Sequence, residues 1–140
     1  MREILFKAKR VNNGEWVEGY YCKWLKGERI ITYSEKETDC IITWMSNGGM
    51  SRYEVVPETL CQFTGLCDKN GKRIWENDII QYDAVAAVVK FGEYGNGNLG
   101  FYVDFPEETN YRKDFSYWAK KVVVIGNAVD DRSLLQEVLE

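Results

Sequence analysis

The chain is cut into short segments in which apolar and polar residues alternate, each bounded by a glycine or asparagine turn. This punctuation limits the fold more than any other feature. A period of two sets one strand face against a core and the other toward water, whereas a helix needs apolar residues every three or four positions. In "ILFKAKR", Ile4, Phe6 and Ala8 share one face and Leu5, Lys7 and Lys9 the other. "NNGE" turns the chain into "WVEGYYCKWL", so it opens with a hairpin. "KGE" turns again into "RIITY"; "CIITWM" and "RYEVV" follow, separated by "SNGGM" and closed by Pro57.

The second half repeats the pattern. The stretch from Phe63 to Asp68 is extended, "DKNG" turns, and "KRIW" returns. "DIIQYD" precedes a longer strand with Val85, Ala87, Val89 and Phe91 on one side. "GNGN" then turns into a strand with Phe101, Val103 and Phe105 inward. Residues 106–121 show no period and are expected to be a polar loop. "VVVIGN" is apolar on both sides, which predicts a central or buried strand. Only the tail is expected to be helical: Leu134, Leu135, Val138 and Leu139 form a narrow apolar stripe, with Asp131 as the N-cap. A helix that short is unstable alone in water and must dock.

Many short strands with Gly/Asn turns predict a mainly β protein, an antiparallel barrel or sandwich. The softest seam lies at "VVPETL". It suggests an N-terminal β-hairpin region over 1–59 and a β-barrel with a C-terminal helix over 60–140, either separate or one compact unit.

Charge and composition narrow the function. The net charge is −4, which opposes non-specific nucleic-acid affinity. The basic runs are short: Lys7, Lys9 and Arg10; Arg112 and Lys113; Lys120 and Lys121. Histidine is absent, so the commonest general base and metal ligand are missing. "MREILFKAKR" has too short an apolar stretch for a signal peptide, and no run is long enough to span a membrane. The expectation is a cytoplasmic protein, not associated with a membrane, with Cys22, Cys40, Cys61 and Cys67 as thiols.

The densest polar stretch is "TGLCDKNGKRIWENDII". As a calcium loop counted from Asp68 it would need a ligand at position 5 and glycine at position 6, where Lys72 and Arg73 stand. Turn chemistry accounts for it better. Asp68, Asn70 and Gly71 make one bend, Asn77 and Asp78 a second, and the isoleucines point inward. No Cys-x-x-Cys, phosphate loop or nucleophile elbow is present. The acidic pairs Glu107–Glu108 and Asp130–Asp131 lie in loop-like sequence, where solvated charge is the default. No metal, no cofactor and no enzymatic activity are expected.

Five Trp, nine Tyr and six Phe remain to be placed. Trp16, Tyr20, Tyr21, Trp24, Tyr33, Trp44 and Tyr53 crowd the first half. In "WVEGYYCKW" both strand faces carry aromatics, so one set is free to meet a partner. Trp16, Tyr20, Tyr21 and Trp24, with Leu135 and Leu139 of the tail, are therefore the candidate interface. The expected partner is a second copy of the chain or a different protein. The N-terminal region would make the main contact and the helix would seal its own barrel. The alternative is a nucleic-acid-binding module in which the aromatics stack on bases and the basic runs meet phosphates.

Three segments, "REILFKAKR…GEWVEGYY", "VPETLCQFTGLCDKNGKRIWENDII" and "VVVIGNAVDDRSLL", resemble in that order the YopX family of phage and prophage proteins. The resemblance implies a mostly β fold with an SH3-like, partly open barrel in the C-terminal part and a phage or prophage origin. It brings no catalytic residues. The family usually has Glu-Gly-Asp where this chain has Glu76-Asn77-Asp78, and Asn-Pro where it has Asp131-Arg132. Asn tolerates the left-handed region and Asp caps a helix, so both changes preserve geometry. Asn77 is expected to have a positive φ.

Overall fold

A computed structural model describes residues 3–26 and 36–135. The protein is mainly β: ten antiparallel strands are described, with few and short helical segments. It divides into two compact units, Met1–Gln62 and Phe63–Glu140. The strand "RIITY", Tyr33, Val138 and Leu139 lie outside the described residues.

In the first unit, β1 (Phe6–Lys9), β2 (Trp16–Lys26), β3 (Lys36–Trp44) and β4 (Met50–Glu54) pair in sequence as an antiparallel meander. The first residues of β5 (Cys61–Cys67) pair with β1 on its other side. The sheet curls. Arg10 bridges to Val55, Val11 N–H donates to Glu54 O at 3.0 Å, and Val56 N–H donates to Lys9 O at 2.9 Å. The concave side is the core: Ala8, Ile41 and Val55 are fully buried, with Phe6, Val17, Tyr21 and Leu60 packed on them. Of the expected inward set, Phe6 and Ala8 are in place. Ile4 precedes the strand and is exposed.

The second unit pairs the remainder of β5 with β6 (Arg73–Trp75). It also builds a four-stranded sheet in the order β10-β7-β8-β9, from β7 (Asp78–Tyr82), β8 (Val85–Tyr94), β9 (Asn98–Val103) and β10 (Val123–Asn127). The sheet is open: β10 and β9 are its edges and do not pair with each other. Ile74, Ile80, Ala87, Val89, Val103 and Phe105 form the core with Phe115, Trp118 and Val122. Phe91 continues the β8 register but is exposed, because the hairpin runs past the core.

Three expectations need correction. Residues 106–121 are not simply a polar loop. They hold a 3₁₀ turn (Glu107–Thr109), a one-turn helix α1 (Phe115–Trp118) and a second 3₁₀ turn (Ala119–Lys121), so the tail is not the sole helical segment. One turn is too short to show a period, yet Phe115 and Trp118 are core residues, and Trp118 Nε1 donates to Arg112 O at 2.7 Å. Next, β10 is an edge strand, not a central one. The strands paired on both sides are β7 and β8, and in β7 Ile79 and Ile80 are both fully buried. Finally, Asp131 does not point its carboxylate into the tail helix, which opens at residue 133. It turns back to accept Asn127 N–H at 3.1 Å.

Candidate functional site

The alternation in β2 sorts the N-terminal aromatics. Successive side chains of a strand point to opposite faces. Tyr21 therefore faces the core, where its hydroxyl donates to the Asp39 carboxylate. That hydrogen bond, then burial and the Asp39 charge, push the Tyr21 pKa up to about 12. Trp16, Tyr20, Cys22 and Trp24 face the other way. Of the candidate interface residues on β2, Tyr21 belongs instead to the interior.

Register extends the outward face across three strands. Tyr20 lies opposite Ile42, and Ile42 opposite Arg52. Trp44 lies opposite Met50, one step along the same face. Trp44 is 65% exposed, Met50 53%, Tyr20 50% and Trp24 40%. The face is thus apolar and aromatic yet in water. Cations are threaded through it. Lys7 Nζ sits 4.7 Å and Lys9 Nζ 5.6 Å from the centre of the Trp16 ring, and the Arg52 guanidinium sits 4.3 Å over Trp24. Each such pair stabilises by roughly 0.5–1 kcal/mol at an exposed site. Ile42, Met50 and Arg52 were missed as site residues. The signal that finds them is the parity shared by Ile42 and Trp44 on one strand and by Met50 and Arg52 on the next.

Leu135, from the tail, lies elsewhere, in the second unit. It lines a cleft of about 300 Å³ with Ala86, Val88, Lys90, Asp104 and Pro106. Leu139 is outside the described residues.

The turn residues are all accounted for by backbone. Asp68 Oδ1 accepts Asn70 N–H at 2.8 Å and Lys72 N–H at 2.9 Å, and Oδ2 accepts Val124 N–H at 3.0 Å. Gly71 has φ 81° and closes a three-residue loop, Lys69 to Gly71, between Asp68 and Lys72. Asn77 has φ 71°, as its place in the second bend requires. Asp78 Oδ2 accepts Trp75 N–H at 2.8 Å. Burial alone would raise the Asp68 pKa. The three amide donors and the charge of Lys72 outweigh it, so the carboxyl stays below its ordinary range.

The two basic runs of the second unit converge on one ring. Arg112 sits 4.5 Å and Lys121 3.9 Å from the centre of Tyr117. Arg112 is also held by Asp114, and Lys113 by Glu107 at 2.9 Å. Among the described residues, no three His, Cys, Asp or Glu side chains converge as a metal site. No described helix is long and apolar enough to cross a membrane.

The fold and site together define a class: an antiparallel β protein of two units, one of which leaves an aromatic sheet face in solvent. The chain belongs to the YopX family, whose model, described as YopX protein, matches residues 6–136, nearly its whole length. Membership supports a phage-type protein. A comparison with curated proteins finds no match.

Proposed function

We propose that this chain is a non-enzymatic protein-interaction module, and that the outward face of its N-terminal sheet is the surface it binds with. The observation that carries the reading is the solvent-exposed block made by Tyr20, Ile42 and Arg52 with Trp44 and Met50 beside it. Trp, Tyr, Met and Arg are the residue types enriched where proteins meet, and the two aromatics bury much area for little lost side-chain freedom. A second copy of the chain is the partner we favour, ahead of a phage or host protein. We also take the C-terminal part to be a partly open SH3-like barrel, on the strength of the family resemblance and the open four-stranded sheet, and the cytoplasm to be the working compartment.

Light scattering on a sizing column tests the reading. The full chain is expected to be an oligomer at micromolar concentration. Trp44→Glu with Met50→Lys is expected to be a folded monomer. A monomeric full chain would remove the second copy as partner. A charged variant that keeps its assembly state would remove this face.

The cations over Trp16 and Trp24 support a second reading, single-stranded nucleic acid, since the same face offers rings for bases and charge for phosphates. Fluorescence anisotropy with a labelled oligonucleotide separates the two. Affinity that falls steeply with salt favours nucleic acid, and no binding at low salt excludes it.

A further inference from the structure

Cys22 on β2 and Cys40 on β3 are directly opposed in the ladder, and so share the outward face. Directly opposed residues of an antiparallel pair have Cα atoms about 4.5 or 5.5 Å apart, according to ladder position. Both separations fall within the roughly 4.4–6.8 Å that a disulfide spans. Both residues are free thiols. Of the remaining cysteines, Cys61 is buried with its thiol donating to Thr59 O at 3.2 Å, and Cys67 lies opposite Arg73.

Cys40 is only 1% exposed although it stands on the outward face. The register explains why. Trp24 is opposite Thr38, and Arg52 is opposite Ile42. To meet at 4.3 Å, the indole and the guanidinium must reach diagonally across β3, over the residue between Thr38 and Ile42. That residue is Cys40. Burial, then Cys40, raise the pKa of the Cys22 thiol, while Arg52 works against the rise.

We propose that Cys22 and Cys40 form a two-electron oxidation site, at which a hydroperoxide converts the two thiols into an intramolecular disulfide beneath the Trp24–Arg52 pair. Cys22, the more accessible sulfur, attacks the peroxide as its thiolate. The O–O bond breaks, Cys22 becomes a sulfenic acid, and the leaving oxygen takes a proton to become water from hydrogen peroxide or an alcohol from an alkyl hydroperoxide. The Cys40 sulfur then attacks the Cys22 sulfur. Its own proton and the displaced hydroxide leave as a second water. Two thiols and one hydrogen peroxide thus give one disulfide and two waters, with the sulfurs oxidised and the peroxide oxygens reduced. The raised pKa of Cys22 keeps it largely as thiol at neutral pH, so oxidation waits on thiolate formation and on opening of the lid. The site shares the face proposed above for docking, so a docked partner would cover it and oxidation belongs to the undocked form.

The test uses the full chain with hydrogen peroxide, followed by alkylation, intact mass and peptide mapping. The expected result is loss of two hydrogens and one cross-linked peptide pair holding Cys22 and Cys40, reversed by dithiothreitol. Cys22→Ser and Cys40→Ala should each abolish it, while Cys61→Ser with Cys67→Ser should leave it intact. Circular dichroism confirms that each variant is folded. Trp24→Ala should speed oxidation several-fold by removing the lid. Over-oxidation of Cys22 with Cys40 still alkylatable, or a bridge between any other pair, overturns the site. An unchanged or slower rate in Trp24→Ala overturns the lid.

Discussion

The Asp68 carboxylate accepts the Val124 amide at 3.0 Å, joining residues 56 apart in sequence. Its other oxygen already holds the Asn70 and Lys72 amides of its own turn. A single buried side chain therefore shapes the β5–β6 hairpin and ties it to an edge strand. Val122 O reinforces the join by accepting Lys69 N–H at 3.1 Å. The stretch that most resembles a binding loop is thus spent on the frame.

Asp68→Asn keeps the size but puts an amide donor where either Val124 N–H or the turn amides need an acceptor. We expect a loss of about 1–3 kcal/mol, the usual cost of a buried donor left unpaired. Denaturant melts give the value. A melt that overlays the parent protein would show that the three bonds contribute nothing net.

Acid sensitivity follows from the same carboxylate. Its folded pKa lies below the ordinary aspartate value of about 3.9. The folded state therefore binds fewer protons than the unfolded chain in that range. The contribution is complete above about pH 4 and is lost as pH falls through the lower, folded value. Stability measured from pH 6 down to pH 2 should fall less steeply in Asp68→Asn than in the parent. Parallel curves would refute the assignment.

Tyr21 gives the opposite sign. Its pKa rises from 10.0 to about 12 because its proton is held by Asp39. That stability is complete below about pH 10 and disappears as pH rises through the folded value. Tyr21→Phe should cost about 0.5–1.5 kcal/mol at neutral pH. It should also flatten the alkaline limb between pH 10 and 12, read by fluorescence-monitored urea melts. A steep limb that survives in the variant would point to another group.

Asn77 holds φ 71° while its N–H donates to Val89 O and its carbonyl accepts Ala128 N–H, both at 2.7 Å. The backbone is fixed from both sides and cannot relax. Asn77→Gly should be nearly neutral, whereas Asn77→Val should cost about 1–3 kcal/mol, because a β-branched residue is strained there. Equal melting temperatures for the two would count against this.

The strands and turns were legible in the sequence because they depend on neighbours: alternation sets strand faces, and Asn or Gly marks bends such as Asn77 and Gly71. The interface candidates were half legible. "WVEGYYCKW" announces aromatics on both faces, but parity alone does not say which set is inside. That is decided by Ala8, Ile41 and Val55, which close on Tyr21 from other strands. Phe115 and Trp118 escaped notice for a related reason, since one helical turn carries no period and its burial comes from β8 and β9. The edge position of β10 was hidden as well. Its outer amide is satisfied by Asp68, a residue that nothing in "VVVIGN" reveals.

The tail offers the sharpest packing test. Leu134 and Asp131 both press on Gly126 of β10, beside the register shift between Val124 and Gly126. A Cβ on Gly126 would stand 2.7 Å from Asp131 Oδ2 and 3.0 Å from Leu134 Cδ1. Asp131 cannot easily yield, because its carboxylate accepts Asn127 N–H and its own N–H donates to Asn127 O at 2.8 Å. Gly126→Ala therefore forces either the strand or the tail to move, an overpacking cost of about 1–3 kcal/mol. The tail is the cheaper part to displace, since a short helix has little stability of its own. The expected outcome is a lower melting temperature, with faster amide exchange at Leu134 and Leu135 than at Ile79 and Ile80. If the tail instead docks on a second copy, the variant should shift the assembly state and leave the melting temperature of the remaining folded protein unchanged.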